Sequence, residues 1–92
     1  MRTAAYSLVQ RFLSGNLPMR TYVRMIFQSE GSSPRDVLRV MRGLNFEESM
    51  GIHDFVYKWT KQPSIDDVLD LVTTMHGRLK GMGVNYEVTT IA

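Results

Sequence analysis

The sequence predicts an all-α protein, a bundle of about five short helices followed by a short C-terminal strand. Three observations carry this expectation. Apolar residues recur at three- and four-residue steps along most of the chain. Helix-start signatures, Ser33-Pro34-Arg35-Asp36 and Ser64-Ile65-Asp66-Asp67, precede two of these stretches, and glycine follows both.

The first stretch runs from about Thr3 to Ser14, where Ala5, Leu8, Val9 and Phe12 share a face and Ser14-Gly15-Asn16 supplies a stop. A second helix is expected from Pro18 to Ser29, because Met19, Tyr22, Val23, Ile26 and Phe27 follow helical steps better than strand alternation. The third begins at the Ser33 cap with proline in the first position and runs to about Arg42. Asn45 with Glu48 reads as the cap of a fourth helix, carrying Ile52, Phe55, Val56 and Trp59 on one stripe. Residues 52–60 are also rich in strand formers, so a strand is the alternative there. The fifth helix, with Ile65, Val68, Leu69, Val72, Met75 and Leu79 on one face, has acids early and Arg78 and Lys80 late, as the helix dipole favours. Gly81 and Gly83 end it. Val84, Tyr86, Val88 and Thr90 then alternate with Asn85, Glu87, Thr89 and Ile91 like a strand, but no neighbour for it is evident.

Ninety-two residues make one domain, 1–92, with 43% apolar and 22% charged residues in the range of folded chains. With no cysteine, packing alone must stabilise it. The seven methionines read as fillers of an irregular core. No apolar run is long enough for a bilayer, and the expected location is cytoplasmic. Charge is segregated: residues 1–43 hold seven arginines against Glu30 and Asp36, whereas residues 44–92 hold four cations against seven acids.

No catalytic constellation is legible, and the chain is expected not to be an enzyme. His53 and His76 lack helical pairing, so no zinc site is nominated. Asp66, Asp67 and Asp70 are explained by the helix dipole rather than by a cation. Gly31-Ser32-Ser33 and Gly81-Met82-Gly83 are too short for phosphate loops and read as turns. Neither a metal nor a cofactor is expected.

The feature that stands out is arginine. On the third helix Arg35, Arg39 and Arg42 fall opposite Val37, Val40, Met41 and Leu44, and Arg20 and Arg24 repeat the four-residue spacing upstream. Like charges four apart cost an isolated helix roughly 0.2–0.5 kcal/mol, so a purely structural helix would mix signs there. These five arginines are the candidate partner-binding residues, and Tyr57 and Trp59 the candidate aromatic anchors. The leading expectation is a small regulatory or adaptor module docking this surface on an acidic protein partner, for instance as an inhibitor of a larger complex. The segment from Val23 to Gly43 resembles the turn and recognition helix of a helix-turn-helix DNA reader, with Gly31 at the turn and Val37 and Val40 facing inward. Glu30 and Ser32 stand where that motif carries apolar residues, and Phe27 where it carries a small one. The resemblance implies the alternative, a nucleic-acid-binding helical domain over residues 20–43 that contacts phosphates through the same arginines. The tail adds a third expectation: its strand needs a partner, which is another segment of this chain, a second copy or a different protein, and self-association as a homo-oligomer or partner docking through it stands against simple fraying.

Overall fold

Five strands and two helices make up the computed structural model, which describes residues 4–8 by their backbone, and residues 19–51 and 53–91. In chain order they are β1 (Ala4–Leu8), β2 (Arg20–Phe27), α1 (Pro34–Gly43), β3 (Glu47–Glu48), β4 (Phe55–Lys58), α2 (Ile65–Leu79) and β5 (Val84–Ile91). One sheet holds all five strands in the order β1-β5-β2-β4-β3. β5-β2-β4-β3 is antiparallel throughout, and β1 adds parallel to β5. From β2 onward this is the split βαβ connectivity called ferredoxin-like. The expected all-α helical bundle is therefore wrong: the protein is α/β, with two helices on one face of a sheet.

Both helices begin where their caps predicted. Ser33 Oγ accepts from the Asp36 amide at 3.2 Å, and Ser64 and Asp67 form a reciprocal box, with Asp67 Oδ2 accepting from Ser64 N at 2.9 Å and Ser64 Oγ from Asp67 N at 3.0 Å. The bonds from Ser64 hold the Asp67 carboxyl below its ordinary range, the backbone bond most strongly.

The expected second and fourth helices are strands. Thr21, Val23 and Met25 of β2 face the helices and are buried, so the strand alternates after all. Its period was disguised because Thr21 is the polar member of the inward set, while the apolar Tyr22 and Ile26 lie on the other face. Asn45, read as a helix start, is the stop of α1: at φ 69° it takes the left-handed position, Asn45 N bonds Arg42 O and Phe46 N bonds Met41 O, both at 3.0 Å. Phe46 then packs into the core beside Met41, and the chain turns into β3 and β4 instead of a fourth helix. The expected first helix fares similarly where it can be compared, since Ala4–Leu8 is a strand; the rest of that stretch lies outside the described residues.

The core lies between the sheet and the helices: Val37 and Met41 from α1 and Val68, Val72, Met75 and Leu79 from α2 meet Val23, Met25, Phe55, Tyr86 and Val88. The apolar stripes of the two helices thus share one core. Burial of this set is the main stabilising term, about 1.5–3 kcal/mol for each large side chain. At one end a polar cluster is built into the same layer. Trp59 Nε1 donates to Thr21 Oγ1 at 2.8 Å, and Thr21 Oγ1 and Thr90 Oγ1 lie 2.8 Å apart, with both threonines fully buried. The other end is closed by a backbone crossing, where Ser32 N bonds Met82 O at 2.7 Å. A Cβ on Gly31 would meet Met82 O at 2.6 Å, and one on Gly83 would meet the Gly31 Cα at 2.8 Å. Gly31 is thus required by this crossing and not by a helix-turn-helix turn, whose first helix the structure replaces with β2.

Two stability outcomes follow. β5 is the inner strand between β1 and β2, so deleting residues 84–92 should abolish cooperative unfolding in urea; a shortened chain with an intact sigmoidal transition would contradict this topology. Thr21→Val removes the acceptor of the Trp59 indole and should cost about 1–3 kcal/mol in urea titration. Thr90→Val, which leaves that acceptor in place, should cost clearly less.

Candidate functional site

With both helices on one side, strand alternation sends Arg20, Tyr22, Arg24 and Ile26 of β2 to the other face of the sheet, which no described element covers. Register places Val56 and Lys58 of β4 beside them on one side and Asn85, Glu87, Thr89 and Ile91 of β5 on the other. Tyr22 sits at the centre, half-buried, with its ring tilted 37° against His53 at a centroid distance of 4.9 Å. Around this pair stand three cations. Lys58 Nζ reaches Glu47 at 3.4 Å and Arg24 reaches Glu87 at 3.8 Å, both with side chains about half exposed, and Arg20 has no carboxylate partner among the described residues. Ile26 is 49% exposed at the end of the same row. Below the row, Asp54 Oδ2 accepts from the Met25 amide at 2.6 Å, standing in for a β4 residue where that ladder ends, and it thereby fixes the loop that carries His53.

The five candidate arginines do not form one surface. Arg20 and Arg24 lie on the open sheet face, whereas Arg35, Arg39 and Arg42 lie exposed on α1 in the opposite layer. Two of the latter are already paired within the chain, Arg39 with Asp36 at 3.1 Å and Arg42 with Glu48 through Nε at 3.1 Å and through Nη2. That hydrogen bond raises the Arg42 guanidinium and holds the Glu48 carboxyl below its ordinary range. The candidate anchors are placed elsewhere again. Tyr57 packs edge-on against Phe46 and Trp59 at 5.4 and 4.7 Å on the helix side of the sheet, and Trp59 spends its indole N–H on Thr21. They close the core and are not a free aromatic platform. The aromatic pair on the open face, Tyr22 and His53, was missed. Its signal was present as Arg20-Thr21-Tyr22-Val23-Arg24, in which a period of two puts cation, aromatic and cation on one side.

The tail is also reassigned. β5 pairs along its length with β2 and over Tyr86–Thr90 with β1, so of the partners open to this strand it takes the one within its own chain. Among the described residues no group of three or more His, Asp or Glu side chains is placed to hold a metal ion, and no helix is long and apolar enough to cross a membrane.

A second concave feature lies in the helix layer's end, a cavity of about 430 Å3 between the last turn of α2 and the start of β5. His76 Nδ1 and the Tyr86 hydroxyl lie 2.7 Å apart in its wall, and burial raises the pKa of the Tyr86 phenol. No protein-family model, no curated protein and no solved structure matches the chain. The geometry is therefore the ground for any functional reading.

The Arg42–Glu48 pair gives a pH dependence of known sign. Glu48 has a depressed folded pKa, so its contribution is present above the ordinary carboxylate range, near pH 4 to 4.5, and is lost as pH falls through the lower folded value. Arg42→Gln should therefore flatten the fall in thermal midpoint between about pH 5 and pH 2 relative to the parent. Identical pH profiles for the two proteins would show that the pair contributes nothing to folding.

Proposed function

We propose that this chain is a non-enzymatic binding module that holds single-stranded nucleic acid on the open face of its sheet. The observation that carries this reading is the juxtaposition of the Tyr22–His53 ring pair with Arg20, Arg24 and Lys58 on the one face that no described element covers. Single strands are bound where aromatic side chains stack on bases while cations follow the backbone. Ring and cations here lie within one or two strand spacings of each other, the reach of a few nucleotides. The ion pairs to Glu47 and Glu87 are exposed and are exchanged for phosphate contacts at little cost.

Placement of the acids favours the same reading. Asp66, Asp67 and Asp70 lie on α2, behind the sheet, where they do not oppose a phosphate backbone crossing the front. Duplex recognition by an inserted helix has no support, because the segment expected to form the first helix of such a motif is β2. The reading puts the chain in the cytoplasm, where unpaired RNA is met. An adaptor that docks on an acidic protein is the second reading, and what favours it is the exposed flank of α1 with Arg35, Arg39 and Arg42 together. Its surface is reduced from five arginines to three, and two of those already have carboxylate partners.

Fluorescence anisotropy with a labelled single-stranded RNA of about 12 nucleotides, across salt concentrations, tests the proposal. Three engaged cations give a slope of log K against log salt of about −2, at roughly 0.7 per phosphate on a single strand. Tyr22→Ala should weaken binding by about 1–3 kcal/mol with the slope unchanged, and Arg20→Gln should lower the slope by about 0.7. Arg35→Gln, on the opposite layer, should leave both intact. Equal losses from Arg35→Gln and Arg20→Gln, or no salt-dependent binding at all, would exclude the sheet face as the site.

A further inference from the structure

The two outer edges of the sheet are defended unequally. At one end β3 is only two residues long, and both are exposed acids, Glu47 and Glu48. Shortness and charge are the usual means by which a protein keeps an edge strand from pairing with another chain. At the other end β1 runs for five residues, Ala4-Ala5-Tyr6-Ser7-Leu8, with neither a charge nor a proline. Among the described residues β1 pairs with β5 alone, so the N–H and C=O groups on its outer edge have no ladder partner there. The cavity beside α2 lies along the same edge. Its described wall comes from α2, β5 and the loop between them, with nothing from β2 or α1, which places it on the β1 side of α2. Leu79, Val84 and Tyr86 thus line an apolar hollow next to the undefended strand.

We propose that β1 is a self-association edge, along which two copies of this chain join antiparallel into one continuous sheet. A second copy is the occupant that the two edges themselves select. β1 against the partner's β1 is uncharged on both sides of the seam, and a twofold axis closes it, so association stops at two chains. β1 against a partner's β3 would pair at most two of its five residues and, being head-to-tail, would go on adding chains. β3 against β3 would set glutamates against each other across the seam. The helices permit the join. A twofold axis perpendicular to the sheet puts both helix layers on one side, and α2 packs over β5. The two copies of α2 then lie about three strand spacings, roughly 14 Å, apart. Packed helices need only about 8–10 Å, so nothing collides and the two cavities face each other across the seam. Five paired residues make a short seam, below the ~1,200 Å2 of a stable interface, and the dimer is accordingly weak.

Sedimentation equilibrium of the intact chain, without nucleic acid, from about 10 μM to about 1 mM tests this. The mass should rise from one chain toward two and stop there, equally at low and high salt, because the seam carries no charge. Ala5→Lys combined with Ser7→Lys sets like charges on both sides of the seam and should move the midpoint of association at least roughly tenfold to higher concentration. Glu47→Ala, at the other edge, should leave it unchanged. The chain contains no cysteine, so Ala4→Cys, Ala5→Cys, Tyr6→Cys, Ser7→Cys and Leu8→Cys, made singly, map the seam by oxidation. The one nearest the twofold axis should form a covalent dimer much faster than Arg35→Cys on α1, since a disulfide needs Cα atoms within about 7 Å. Should the lysine variant not fold, the cysteine series decides alone. The proposal is overturned by a mass of one chain throughout, by masses that climb past two, or by association that high salt abolishes or the folded lysine variant retains. It is equally overturned if none of the five β1 cysteines cross-links faster than Arg35→Cys. RNA plays no part in these readouts, so this proposal and the sheet-face reading can each fail alone.

Discussion

The whole molecule depends on the insertion of β5 between β1 and β2. β5 is the last element in sequence, and it supplies the neighbour for both strands that begin the chain. Val88 and Tyr86 bring it into the core beneath the helices, and Thr90 joins it to Thr21 and through Thr21 to Trp59. Until β5 is in place, β2 has only β4 beside it, and a short pair of strands is marginal in water. The contacts that decide stability therefore link residues about seventy apart, as Thr21 and Thr90 do. Such pairing pays the entropy of closing a long loop before it is rewarded.

Placing both helices on one face decides what the other face can do. The inward side of the sheet is apolar except for the threonine cluster, whose hydroxyls are bonded to each other and to the Trp59 indole N–H, so a polar group is buried there without being stranded. The outward side is covered by no described element, and on it the chain has placed an aromatic ring beside three cations and two acids. Segregation of charge along the sequence becomes segregation between layers for the three aspartates of α2, but not for the arginines, which are divided between the two. A surface inferred from linear spacing was thus cut in two by the sheet.

The parts of the fold legible in the sequence are those with local causes. Caps at Ser33 and Ser64 and the stripes behind them define α1 and α2 without reference to anything distant, and alternation from Val84 to Ile91 marks β5. β2 was misread because its inward set includes a threonine whose partners, Thr90 and Trp59, are far along the chain, while Tyr22 and Ile26 put apolar groups on the solvent face. Together they imitate three- and four-residue steps. Asn45 was misread for a different reason: asparagine serves both the cap before a helix and the left-handed stop after one. The choice between them is made by Phe46 folding back on Met41. Errors at the site followed from these. Once β2 is taken as a helix, Arg20 and Arg24 join the α1 arginines and Tyr22 falls among core residues, and its place beside His53 is invisible.

One strand then relates the two concave or open surfaces. Tyr86, in the wall of the cavity, alternates along β5 with Asn85, Glu87 and Thr89, which register places on the open sheet face, while Val88 follows Tyr86 into the core. The strand is held on both edges by hydrogen bonds and on its inner side by packing. It has no freedom to shift by one residue, since such a slip would exchange Tyr86 and Val88 with Asn85, Glu87 and Thr89 and put polar groups against Val23 and Met25. A rigid strand of this kind positions groups on both surfaces accurately, and the same rigidity keeps them energetically separate, because coupling between sites requires an element with two arrangements for ligands to choose between. The loop crossing at Gly31 and Gly83 has no room for a second arrangement either, as its backbones already touch. The architecture therefore suits a module that presents fixed surfaces to what it binds, with the conformational change, where there is one, left to the ligand.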